Sequence, residues 1–151
     1  ASGWMGDGEG GERYVTIEHL SADVQRVQKI GVKVSYRPGP LGWAGVYWQH
    51  PPDNWGDRPG LDLSGAREIS FLARGERGGE IVRFKSGGIR RGAHPDRFEA
   101  GLPPQILTTE WQSFRIDLSR EDLSNVVGGF AWVAESTGDP VTFFLADLTV
   151  K

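Results

Sequence analysis

The sequence predicts an all-β chain: an antiparallel jelly-roll β-sandwich of about eight main strands with little helix. Three observations predict it. The 151 residues include 22 glycines and 9 prolines, which cut regular structure into short pieces. Eight short runs, each bounded by such breakers, suit strands by composition or alternation. No helical stretch is long enough to change the class.

The elements follow in chain order. Residues 1–12, with five glycines plus Asp7, Glu9 and Glu12, read as a glycine-rich N-terminal arm. The eight expected strands are Tyr14–Leu20, Gly31–Arg37, Ala44–His50, Glu68–Arg74, Glu80–Ser86, Ser113–Leu118, Gly129–Glu135 and Val141–Val150. Val32, Val34 and Tyr36 alternate with Lys33, Ser35 and Arg37, and Phe114, Ile116 and Leu118 alternate with Arg115 and Asp117. Val141–Val150 is apolar on both faces apart from Asp147 and its threonines, as suits a strand covered twice. Ser21 is placed to cap a short helix over 22–30, and Ser119 a single turn through Ser124. Neither a repeat nor a low-complexity tract interrupts residues 1–151. One domain is expected.

Composition narrows the chemistry. The absence of cysteine removes disulfides, thiolate nucleophiles and cysteine-bound zinc. A net charge of −3 does not suit a basic nucleic-acid binder. No run approaches the ~20 apolar residues of a membrane-spanning helix. A start at Ala1-Ser2-Gly3 is expected either from removal of a signal or from a module within a longer protein. Gly6-Asp7-Gly8-Glu9-Gly10-Gly11 fits G-x-G-x-x-G, but two carboxylates stand where phosphates would lie, so nucleotide binding is not expected. Six tryptophans are the unusual feature.

Two stretches carry a family resemblance. One is Gly42-Trp43-Ala44-Gly45-Val46-Tyr47-Trp48-Gln49-His50-Pro51-Pro52-Asp53-Asn54-Trp55-Gly56. The other runs through Leu61-Asp62-Leu63-Ser64-Gly65-Ala66, Ile69-Ser70-Phe71-Leu72-Ala73-Arg74-Gly75, Trp111-Gln112-Ser113-Phe114-Arg115-Ile116-Asp117-Leu118 and the closing Phe143–Leu148. Together they resemble the galactose-binding-domain-like β-sandwiches that serve as carbohydrate-binding modules of polysaccharide-degrading enzymes. The opening Gly3-Trp4-Met5-Gly6-Asp7-Gly8 is similar to a subgroup of them. The resemblance implies a secreted or cell-surface sugar-binding domain, attached to a larger glycan-active protein. It also implies a structural Ca2+ between the N-terminal region and the last strand, held by an Asp of that strand, which Asp147 matches; Asp7, Glu9 or Glu18 would supply further oxygens.

The residues themselves suggest where a sugar would sit. Sugar rings stack their C–H faces on aromatics, while their hydroxyls need amide, carboxylate or guanidinium partners. Tyr47, Trp48, Trp55 and Trp132 are the candidate platforms, with Gln49, Asn54, Arg83 and Lys85 as polar ligands. Each Trp is equally well a core residue, since a sandwich this size buries several large aromatics. Residues 74–97 hold seven Lys or Arg against three Asp or Glu, a local excess that would favour an anionic glycan if it formed one surface. Flat pyranose stacking and the acidic remainder favour a neutral, β-glucan-like chain instead. Two other readings stay open: a protein-interaction domain on the same fold, and a small glycan-cleaving enzyme using Glu80 and Glu135.

Overall fold

Breakers and alternation produce two antiparallel sheets in the computed structural model, which describes residues 1–20 and 31–151. The strands are β1 (Gly3–Gly6), β2 (Val15–Leu20), β3 (Gly31–Tyr36), β4 (Trp43–Gln49), β5 (Glu68–Gly75), β6 (Ile81–Gly87), β7 (Glu99–Gly101), β8 (Gln105–Ile106), β9 (Gln112–Asp117), β10 (Gly128–Glu135) and β11 (Val141–Val150). One sheet runs β1-β4-β10-β6-β7, with β8 also on β6; the other runs β2-β3-β11-β5-β9. All eight expected strands form.

Three strands lie beyond the expected eight, and each is four residues or fewer. β1 has glycine at both ends, and β7 and β8 share one side of β6 across Leu102-Pro103-Pro104. Asp7–Arg13 forms a 3-10 segment rather than a plain loop. The G-x-G-x-x-G stretch, for which no preceding strand is expected from sequence, begins at Gly6, the last residue of β1. The expected turn after Ser119 is no helix: Ser119 and Arg120 form a turn closed by Glu121 N–H on Leu118 C=O at 3.1 Å. The helix expected over 22–30 lies outside the described residues.

The core fills the gap between the sheets with aromatic rings. Phe71 meets Phe84 at 4.9 Å and Phe130 at 5.1 Å, and Trp132 meets Phe143 edge-on at 5.4 Å between centroids. Such edge-to-face contacts add to the gain from burial. Val34, Val46, Val82 and Ile116 complete the fill from four strands.

Asp7 pins the N-terminal segment to this core. Its carboxylate accepts the Tyr36 hydroxyl at 2.7 Å and the N–H groups of Gly39, Leu41 and Gly42. Burial alone would raise its pKa, but the Tyr36 hydroxyl and the three N–H donors outweigh it and hold the carboxyl below its usual value. A carboxyl depressed in the folded state contributes fully above its unfolded pKa of about 4, and that contribution is lost as pH falls through the folded value. An acid titration followed by circular dichroism should therefore show a shallower loss for Asp7→Ala than for the wild type. Superimposable acid limbs would mean that Asp7 adds no pH-dependent stability.

Candidate functional site

The outer face of the β1-β4-β10-β6-β7 sheet gathers chemistry because side chains of one strand parity all point there. Antiparallel register lines them up in rows across the strands. Tyr47 of β4 lies beside Ala131 of β10, Lys85 of β6 and Gly101 of β7. In the next row Met5, Gly45, Val133 and Arg83 stand together. Beyond it, Trp43 neighbours Glu135, and Ile81 neighbours Ile106.

Where Ala100 and Gly101 are small, an open groove of about 500 Å³ runs along β10, β6 and the β7–β8 segment. Its charged lining is Arg83, Lys85, Glu99 and Glu135. Lys85 Nζ bonds Glu99 at 3.2 Å and lies 5.3 Å from the Tyr47 ring centroid. Burial works against the Lys85 charge, but Tyr47 and Glu99 more than compensate and raise its pKa, so it stays protonated at neutral pH. Burial likewise raises the Tyr47 pKa, partly countered by Lys85, so the hydroxyl stays neutral and donates to Gly87 C=O at 2.8 Å. Arg83 and Glu135 are exposed and take part in no ion pair among the described residues. A donor fork and a carboxylate are thus free to meet hydroxyls.

Arg83 and Lys85 therefore lie where the alternation of β6 placed them. Neither Tyr47 nor Trp55 lines the groove, and neither offers a bare face. Tyr47 is buried beneath Lys85, its edge meeting Trp55 at 6.1 Å, and the Arg91 guanidinium covers the Trp55 ring at 4.6 Å.

Four more of the expected ligands, besides Tyr47 and Trp55, are not in the groove. Trp132 is fully buried in the core, opposite Val46. Trp48 points inward and packs on Phe130 at 5.9 Å. Asn54 is fully buried and shapes the loop after β4: its amide donates to His50 and Arg58 C=O, and its oxygen accepts Gly56 and Arg58 N–H. Gln49 has the outward parity but lies buried beneath the N-terminus, accepting the Ser2 hydroxyl at 2.8 Å. Asn54→Ala should accordingly cost about 2 kcal/mol in denaturant melts through stranded loop donors and acceptors. Unchanged stability would show that Asn54 does not organise the loop.

The remaining candidates also separate. Glu80 folds its carboxylate over Gly75 of the other sheet and accepts Arg77 N–H, whereas Glu135 faces the groove. The two do not form a carboxylate pair. The cationic run 74–97 splits as well: Arg74 stacks on Phe144 of the second sheet at 4.0 Å, and Arg97 lies 3.8 Å from Asp122. It makes no single basic surface.

The residues named for calcium do not fit a shared ion. The Asp7 oxygens are taken by four donors, and Asp147 lies beyond Ala146, which pairs with Gly31 at the far end of β3 from Tyr36. At about 3.3 Å per residue, Asp147 lies about 20 Å along β11 from Val141, the partner of Tyr36. Asp147 instead takes the left-handed backbone, φ 54°, at a bulge where pairing with β5 shifts register. No cluster of three or more His, Asp or Glu suited to a metal occurs among the described residues.

Comparison with solved structures yields a consistent set. A family 30 carbohydrate-binding module superposes with TM-score 0.59 at 17% identity, covering 90% of this chain and 73% of its own. A family 11 module of a cellulosomal cellulase of Clostridium thermocellum gives the same score and identity over 90% of this chain and 80% of its own. The fold is that of carbohydrate-binding modules. A further family 11 module, solved in complex with a β-1,3-1,4-mixed-linked tetrasaccharide, covers 99% of this chain and 96% of its own at TM-score 0.57 and 17% identity. No protein-family model and no curated protein matches the sequence. The carbohydrate-binding-module fold thus agrees with the resemblance carried by the two sequence stretches. No helix among the described residues is long and apolar enough to cross a membrane.

Proposed function

We propose that the protein is a non-catalytic carbohydrate-binding module whose outer-face groove holds a neutral, β-glucan-like polysaccharide. The observation that carries this reading is the lining of the groove: two cations and two carboxylates, of which Arg83 and Glu135 are unengaged by each other. Such a site has no net charge to attract a polyanion, yet offers strong donors and acceptors to vicinal hydroxyls. The shared fold with modules of polysaccharide-degrading enzymes supports a role beside a glycan-active partner domain, outside the cell.

Calorimetric titration with a neutral mixed-linked β-glucan and with polygalacturonate, at 0.1 and 1 M salt, tests the reading. The Debye length shrinks from about 10 Å to 3 Å over that range. The neutral glucan should bind with an affinity that barely responds, without being cleaved, and Arg83→Ala should weaken it about tenfold. Salt-sensitive binding of polygalacturonate alone would overturn the choice of ligand. Turnover would restore the enzyme reading, and binding to neither would leave the protein-interaction reading.

A further inference from the structure

The geometry points to Trp43, the cross-strand neighbour of the groove-lining Glu135, as a stacking platform at the groove's border, taking the C–H face of a neutral pyranose while Glu135 and Arg83 hold that sugar's hydroxyls. This inference rests on the glycan-binding reading and deepens it. The aromatics singled out from sequence leave the groove without a bare ring: Trp48 and Trp132 face the core, Tyr47 lies under Lys85, and Trp55 under Arg91. Trp43 differs. It shares the outward parity of Tyr47, pairs across the strands with Glu135, and is 36% exposed.

The seat of the ring is what makes it a platform. A Cβ added at Gly6 would lie 2.8 and 2.9 Å from Cδ2 and Cε2 of Trp43, the two carbons shared by its rings. The indole therefore lies with one face directly on the Gly6 backbone, which only glycine permits, and at φ 60° glycine is also the residue that backbone favours. With that face covered, the exposed part of the ring belongs to the other. A flat apolar ring fixed from below and wet from above suits a sugar C–H face better than a flexible aliphatic chain does.

The neighbours extend the match. Glu135 stands between Trp43 and the exposed Ile81 and Ile106 in one row across the sheet, parallel to the row that holds Arg83. Neighbouring strands are about 4.8 Å apart, so this row advances across the sheet in steps close to one pyranose. A β-linked chain laid along this row would meet the apolar surfaces of Trp43, Ile81 and Ile106, with its hydroxyls toward Glu135 within the row and Arg83 beside it.

The test titrates the full chain with a β-1,3-1,4-mixed-linked glucan oligosaccharide, using Trp43→Ala, Trp43→Leu, Trp43→Tyr and Arg83→Ala, each checked by its melting curve. Trp43→Ala and Trp43→Leu are expected to weaken binding about tenfold or more, while Trp43→Tyr, which keeps a flat ring, retains most of it. Leucine keeps apolar bulk on Gly6, so it decides the matter should the alanine variant fail to fold. In the wild type, bound oligosaccharide should also shield part of the tryptophan emission from iodide. If Trp43→Leu binds within about twofold of wild type while Arg83→Ala loses about tenfold, the stacking role falls and the groove reading stands. If neither substitution alters a measurable affinity, the groove reading falls with it, and a wild type that binds no glucan overturns both.

Discussion

Replacing Trp132 with alanine is expected to remove about 3–5 kcal/mol of stability, the usual cost of deleting a large ring from a packed core. The ring has no solvent exposure, lies edge-on to Phe143 and fills the gap between the two sheets. Its indole N–H finds no acceptor among the described residues, so no hydrogen bond offsets the cavity term. A domain of this size has a total stability of about 5–15 kcal/mol, so the variant should melt much earlier or fail to fold. Trp132→Phe keeps ring packing in a smaller volume and should cost distinctly less. Chemical denaturation decides between this and a surface role: a Trp132→Ala variant with unchanged midpoint would mean the ring is not part of the core.

The second large effect is expected at Asp96. Its buried carboxylate accepts Ile89 N–H at 3.0 Å, Val127 N–H at 2.6 Å and Gly128 N–H at 3.1 Å, tying the loop after β6 to the start of β10. Asp96→Ala strands three buried donors, each costing about 1–3 kcal/mol, so a loss of about 3 kcal/mol or more is expected. The same loop carries Arg91 over Trp55. Asp96→Ala should therefore also loosen the cover over Trp55, visible as a red shift of tryptophan emission before global unfolding. A variant with wild-type melting and emission would show that the N–H groups find water instead.

The parts of the fold that were legible are those written in long alternating runs. β3 and β9 show their faces directly, because a period of two survives six residues. β1, β7 and β8 are too short for a period to register, and they exist because β4 and β6 offer them an edge. Within the site, Arg83 and Lys85 were legible for the same reason as the long strands. The tryptophans were not. In β4, Trp43 and Trp48 are an odd number of residues apart and must face opposite ways, and composition does not say which of them faces the core. The pairing of Val46 with Trp132 settles it, and that is a long-range fact. Asn54 reads as a ligand because it adjoins Trp55, and Asp7 because the resemblance implies it, yet both are spent on loop backbone.

The odd spacing within β4 has a consequence for how such a domain can diverge. Inserting or deleting one residue between Trp43 and Trp48 would turn one half of the strand over relative to the other, because side-chain direction reverses with every position. The core ring would then be thrown into water or the groove ring buried. Lineages carrying this strand are thus barred from changing its length by one. They can alter ligand preference by exchanging outward residues such as Trp43, Arg83 and Glu135, or by lengthening loops such as Leu102-Pro103-Pro104 at the groove's wall. Selection on binding acts here through substitutions and loop growth, on a strand whose count of residues is frozen.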